Sequence, residues 1–267
     1  RLIFAVMNAD TSRSFGLALS GGGARGIIHI GVLKALVENE LKPSCVAGTS
    51  IGAIVGALYC SGIGPEKMLE LIAGKSFLKM FSIRPSFSGL LKMDYLEKIL
   101  KKYVPTTFTE LNIPFYVCAT NLSQHKIEVF HEGEIYKPVK ASSSIPILFE
   151  PIDINGNLYI DGGTIENLPS GVLQGKCDYI LGVEVNRGKF TNNLNNIRSI
   201  AMEVFQLTVH NNTKAGVMAS DGLIQPELDA KFRLLDFAKA PELFEIGYKE
   251  GLKWVEKYKR EIKKSAN

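Results

Sequence analysis

The chain alternates short, almost uninterrupted apolar runs with longer stretches in which apolar residues recur every three or four positions. Phe15–Ser20 (FGLALS) reads as a buried strand. A helix follows over Ala24–Glu38, with Ile27, Ile30, Leu33 and Val37 at helical spacing. Pro43 breaks the chain before a short strand, Cys45–Ala47. Ile51–Cys60 then reads as a second, very apolar helix that ends at Gly62–Pro65. Further strands are predicted at Phe115–Thr120, Ile127–Phe130, Leu158–Ile160 and Tyr179–Val185, and helices at Asp94–Tyr103, Asn196–Asn211 and Leu243–Ile262. The pair Asn155-Gly156 signals a two-residue hairpin turn. Strands that are apolar throughout belong to sheets covered on both sides. The pattern therefore predicts an α/β fold, a mostly parallel central sheet with helices on both faces.

Composition narrows this picture without changing it. The 267 residues, 46% of them hydrophobic, suffice for one sizeable core. We expect an N-terminal extension over residues 1–13 and one domain over 14–267. The net charge of +4 is mild, and no basic stripe is interleaved with aromatics, so no nucleic-acid partner is expected. Lys253, Lys257, Lys259, Arg260, Lys263 and Lys264 crowd the C-terminal end. They read as a solvated helix end, or as a weak attraction to anionic lipid. Cys45, Cys60, Cys118 and Cys177 form no C-x-x-C pair and no zinc spacing, which fits a reducing, cytoplasmic compartment. Arg1–Met7 is too short for a secretory h-region. The apolar stretch Cys45–Cys60, interrupted by glycines, is too short to span a bilayer. Any membrane contact is expected to be peripheral. Ser76–Leu91 is irregular and holds Phe77, Phe81, Phe87, Leu90 and Leu91, as a packed loop or a lid would.

Three stretches carry chemistry. In Ser20-Gly21-Gly22-Gly23-Ala24-Arg25-Gly26, consecutive glycines between a strand and a helix leave backbone N–H groups unshielded, as an anion site needs. Gly21, Gly23 and Gly26 also satisfy the dinucleotide pattern G-x-G-x-x-G. That pattern wants an acidic residue after the second strand, where this chain has Gly48-Thr49-Ser50. A P-loop would need Gly-Lys-Ser/Thr after these glycines, and none follows them. Gly48-Thr49-Ser50-Ile51-Gly52 is a G-x-S-x-G elbow in its proper strand-to-helix context. Asp161-Gly162-Gly163 directly follows a predicted strand, so its carboxylate can reach the mouth of a sheet. Alone, it is also an ordinary Asp-Gly turn.

Taken together, GGGARG at 21–26, GTSIG at 48–52 and DGG at 161–163 resemble the patatin-like phospholipases. The likeness runs on through Ala141–Pro146 (ASSSIP), Phe149, Tyr159–Gly163 and Asn167-Leu168-Pro169. Ser220-Asp221 to Ile224-Gln225-Pro226 and Glu245–Tyr248 are similar to the bacterial branch. One departure is Asn121, where the family more often has Asp. The resemblance implies a three-layer α/β/α fold and a lipid or acyl-ester substrate, with no cofactor and no metal. It implies Ser50 as nucleophile, Asp161 as its base, and an oxyanion site at Gly22 and Gly23 with Gly21, Ile51 and Arg25 in support. Two rivals stand beside it. A Ser-Asp-His α/β-hydrolase would use Ser50, Asp161 and His210 in that order. A nucleotide- or lipid-binding module would make the serine incidental. His29, His125, His131 and His210 read as surface or packing residues.

Overall fold

A computed structural model describes residues 14–74, 91, 93–188 and 194–265. The expected extension over 1–13, and all but the last residue of the lid candidate, lie outside the described residues. The sheet is built from β1 (Phe15–Leu19), β2 (Cys45–Thr49), β3 (Phe115–Asn121), β4 (Lys126–Phe130), β5 (Ile152–Ile154), β6 (Asn157–Asp161), β7 (Tyr179–Val183) and β8 (Gly222–Ile224). Its order is β5-β6-β3-β2-β1-β7-β8, with β4 paired to β3. The centre, β3-β2-β1-β7-β8, is parallel throughout. β4, β6 and β5 are antiparallel additions at one end. After β1 the chain goes to one side for β2 and later to the other for β7. Such a reversal opens a crevice at the carboxyl ends of the strands, where ligands bind in α/β sheets.

Alternation along the strands divides the core. Phe15, Leu17, Leu19, Val46, Leu181 and Val183 face the larger side. That side is covered by α1 (Ile27–Glu38), α2 (Ile51–Cys60), α3 (Pro65–Ala73), α4 (Asp94–Tyr103) and the long C-terminal helix. Ala18, Cys45, Ala47 and Ile180 face the other side, a thinner layer made by Leu168, Leu173 and their neighbours. Small residues there admit a close cover by a 3-10 turn, Pro169–Leu173. The helix predicted from Ala24 begins as a 3-10 turn over Gly23–Gly26 and becomes α-helical at Ile27. It is buried on nearly all sides, and Val37 alone of its expected stripe is 47% exposed.

Three helices escaped the sequence pattern, the short α7 (Lys214–Met218) among them. Pro65 was read as a terminator, but it is the first residue of α3, where a missing N–H costs nothing. α5 (Tyr136–Ser142) carries Pro138 in its first turn for the same reason. Beyond these lie α6 (Ile197–Asn211) and α8 (Ala240–Ser265). Asn155 and Gly156 both adopt positive φ, 53° and 82°, which makes the predicted hairpin turn between β5 and β6. On α8, Trp254 and Tyr258 stack on each other at 4.7 Å and pack on Phe15 and Tyr179, so this aromatic face closes its own core. Its lysines pair with glutamates along the helix, Lys253 with Glu250 and Lys257 with Glu261.

Candidate active site

Ser50 ends β2 and begins α2 with φ 56° and ψ −124°, a backbone state that non-glycine residues avoid. The strain is held from outside. The Ser50 N–H donates to Ser142 Oγ (2.9 Å), which donates to Cys118 O (2.6 Å). Ser143 Oγ donates to Ser50 O at 3.2 Å. Gly48 and Gly52 let the elbow close: a Cβ on Gly52 would stand 2.3 Å from Leu19 O.

Strand register brings the aspartate to the serine. Along β3, Cys118 pairs with Thr49 of β2, and the next residue, Ala119, pairs with Asp161 of β6. β6 runs antiparallel and stops where β2 ends, so Ser50 and Asp161 meet end to end. Asp161 thus reaches the mouth of the sheet as the last residue of its strand, although that strand runs antiparallel to β3. Ser50 Oγ donates to Asp161 Oδ2 at 2.5 Å, and Gly163 N–H donates to Asp161 Oδ1 at 2.8 Å. The Asp161 N–H donates to Ser144 O at 2.9 Å. The buried run Ser142–Ser144 therefore fastens both residues, a role the sequence showed only as part of the ASSSIP likeness.

Asp161 is 2% exposed and Ser50 6%. Burial pushes the Asp161 carboxyl up to about 7, and the hydrogen bonds from Ser50 and Gly163 only partly oppose that rise. A carboxylate of that basicity suits proton transfer near neutral pH.

The glycine turn lies beside them. Gly21, Gly22, Gly23, Ser50, Asp161 and Asn167 line a cavity of about 250 Å³, with Phe205, Leu207, Val209 and Leu234 among its apolar walls. The N–H groups of Gly22 and Gly23 have no acceptor among the described residues. Gly21 differs from expectation. Its N–H is given to Asn167 O at 3.1 Å, and its carbonyl accepts from Asn186 Nδ2 at 2.6 Å, so its peptide is clamped and not open to a ligand. Asn167 and Asn186 are thus loop-holding residues. The first was visible only as part of a motif, and the second carried no sequence signal.

Arg25 lines the cavity as well. Its guanidinium is buried and donates to Gln206 Oε1 on α6 at 3.1 Å. Burial lowers it to about 10, against the pull of Glu184 and Glu203. It ties the glycine turn to α6. Ile51 is absent from the cavity wall and packs on Gly26, where a Cβ would meet Ile51 Cγ2 at 2.3 Å. Gly162 packs on Cys118 O and Gly163 holds the aspartate.

Of the histidines, His29 is buried with Nε2 2.8 Å from Ser20 O, and burial lowers it to about 4. His210 lines the cavity, closer to the chemistry than its helical position suggested. It is not interposed between serine and aspartate, because the Ser50 hydroxyl is given directly to Asp161. Asn121 donates to Glu128 (3.0 Å) and Tyr159 (3.1 Å); an aspartate there would face the Glu128 carboxylate without a donor.

Comparison with known proteins agrees with this geometry. Residues 17–173 match the family described as patatin-like phospholipase. Lysophospholipase NTE1 of Coccidioides immitis is 29% identical over 93% of this chain, and lysophospholipase nte1 of Aspergillus niger 30% over 93%. The chain spans only 18% of the length of each. Among solved structures, VipD from Legionella pneumophila superposes with a TM-score of 0.62 at 17% identity, over 92% of this chain and 67% of VipD. At that identity the likeness is one of fold.

Proposed function

The chain belongs to the patatin-like phospholipase family, and on that premise we propose that residues 14–267 form one acyl hydrolase unit cleaving fatty-acyl esters of lipids, of the lysophospholipase type, through Ser50 and Asp161. The observation that carries this reading is the direct 2.5 Å hydrogen bond from Ser50 Oγ to a buried carboxylate. In acylation, Ser50 Oγ attacks the ester carbonyl carbon while its proton passes to Asp161. The carbonyl oxygen becomes an oxyanion, received by the N–H groups of Gly22 and Gly23. The tetrahedral intermediate collapses, the C–O bond to the alcohol breaks, and Asp161 returns the proton to the leaving oxygen. Water then attacks the acyl-enzyme, giving its proton to Asp161, which restores the Ser50 hydroxyl as the fatty acid leaves. The apolar wall of Phe205, Leu207, Val209 and Leu234 suits an acyl chain. Within the family, the motifs at 220–226 and 245–248 favour the bacterial branch, although the relatives named above are fungal. The four free thiols fit a cytoplasmic setting. Among the described residues no helix is long and apolar enough to cross a membrane.

A fluorophosphonate probe tests the nucleophile. Wild type and His210→Ala are expected to label, and Ser50→Ala is not. Turnover of His210→Ala should stay within about threefold of wild type, whereas a Ser-Asp-His triad predicts a fall of about a thousandfold or more. Absence of labelling in wild type, with saturable nucleotide binding, would overturn the hydrolase.

The base gives a second test. Only ionised Asp161 accepts the serine proton, so kcat/KM should be flat above about pH 7 and fall about tenfold per unit below it. A limb near pH 4, the ordinary carboxylate range, would mean that burial does not tune this group.

A further inference from the structure

The oxyanion site depends on a peptide whose orientation its own residues do not fix. The Gly21–Gly22 bond is trans, so the Gly21 carbonyl and the Gly22 N–H point in opposite directions. Turning that peptide over changes ψ of Gly21 and φ of Gly22, and with glycine on both sides the rotation meets little steric resistance. Once turned, the peptide would present a carbonyl oxygen to the cavity in place of an N–H. An oxyanion would then be repelled where it should be received.

The segment that follows β7 selects the orientation. Asn186 Nδ2 donates to Gly21 O at 2.6 Å, and Ser20 Oγ donates to the same oxygen at 3.0 Å. Both lone pairs of the carbonyl are thereby occupied. Each donor is fixed in turn. The Val185 N–H donates to Ser20 Oγ at 3.2 Å, which leaves the hydroxyl proton for Gly21. The Asn186 N–H donates to Glu184 Oε1 at 2.6 Å, and Gln225 Nε2 donates to Glu184 Oε2 at 3.0 Å. Ser20, Glu184 and Asn186 are all buried. Burying a carboxylate is costly unless its partners are in place. Here those partners are two N–H donors and the attraction of the Arg25 guanidinium, which belongs to the same glycine turn. Donors on a carbonyl also polarise its amide, which makes the Gly22 N–H a stronger donor on the opposite side.

We propose that Asn186 and Ser20 are positioning residues of the oxyanion site: they fix the Gly21–Gly22 peptide so that the Gly22 N–H faces the cavity, and Glu184 holds Asn186 in place for that task. The proposal rests on the acyl hydrolase reading, in which that N–H receives the oxyanion.

The test is Asn186→Leu, which keeps the approximate size of the side chain and removes its donor, alone and combined with Ser20→Ala. On a soluble short-chain nitrophenyl ester, kcat is expected to fall about tenfold or more for Asn186→Leu. For the double variant it should fall about 10²–10³-fold, the loss that follows removal of one oxyanion donor. KM should stay within about threefold, because the contact matters in the transition state and little in the ground state. The acid limb of kcat/KM should stay near pH 7, because the bond between Ser50 and Asp161 is untouched. A residue that only braces the fold would lower the melting temperature without this split between kcat and KM. Unchanged kcat in the double variant overturns the proposal. So does a limb that shifts along with the loss, since the dyad is then what was disturbed. Should Asn186→Leu fail to fold, Ser20→Ala alone carries the test, with a loss of about tenfold expected. A crystal structure of the folded variant separates this proposal from the reading beneath it. A Gly21 carbonyl turned toward the cavity, or present in both orientations, supports the role, and a carbonyl held as in wild type overturns it. If wild type cleaves no ester, the hydrolase reading fails, and the orientation of that carbonyl still decides whether Asn186 and Ser20 set the peptide.

Discussion

Asp161→Asn is expected to stop turnover and, at the same time, to make the protein more stable at pH 8. The loss follows from the proposed chemistry. An amide cannot take the Ser50 proton, and removing a positioned base costs about 10²–10⁴-fold in rate. The gain follows from burial. Burial lifts the carboxyl to about 7 in the fold, from an ordinary value of 3.8. Between those values the folded state binds a proton that the unfolded state does not, so stability falls as pH rises through this window. Above about pH 7 the ionised, buried carboxylate imposes the full penalty, on the order of a few kcal/mol. Asparagine carries no charge and keeps an acceptor for the Gly163 N–H. The melting temperature of the variant should exceed that of wild type by several degrees at pH 8, and the difference should shrink toward pH 4. Thermal melts across that range check it. A gap that does not depend on pH would show that Asp161 is not desolvated as its 2% exposure implies.

Gly23→Ala is expected to lower kcat by about 10²–10³-fold with little change in KM, the signature of a lost transition-state contact. Gly23 has φ 55°, and a Cβ there would stand 2.2 Å from Leu234 O, the carbonyl that anchors Ala24 N–H at 2.7 Å. Backbone has to move, and the Gly22 and Gly23 N–H groups move with it. A stability loss of about 1–3 kcal/mol should accompany this. Gly133→Ala is the control: its φ is 74°, and nothing lies within 4 Å of the added carbon. It bears the conformational cost without the collision, and its kcat should be that of wild type. Equal kcat for Gly23→Ala and wild type would remove the glycine turn from the mechanism.

Much of this molecule was legible in the sequence because the relevant physics is local. α2 and α4 occupy the spans that apolar spacing predicted, and the Asn155-Gly156 turn follows from two residues that tolerate positive φ. The elbow at Ser50 and the glycine turn each sit between an apolar run and a helix, a context that the motifs require and that neighbouring residues create. α3 and α5 were missed because proline serves a helix start as well as it ends one, and composition cannot separate the two uses.

Other features depended on placement in space. A strand's pattern does not encode its direction, so nothing local told that β6 runs antiparallel to β3 and delivers Asp161 head-on to Ser50. Helical periodicity shows that Ile197, Ile200, Val204 and Leu207 share a face, but not that the face looks outward. Which N–H groups remain open is likewise a matter of neighbours: Gly21 loses its own to Asn167, far along the chain, while Gly22 and Gly23 keep theirs. By itself, the sequence determined the local elements, the elbow and the turn, since dihedral preference and apolar spacing act over a few residues. The meeting of hydroxyl and carboxylate, the basicity of Asp161 and the outward face of α6 were decided only in the tertiary structure, because register, desolvation and exposure are set by residues distant in sequence.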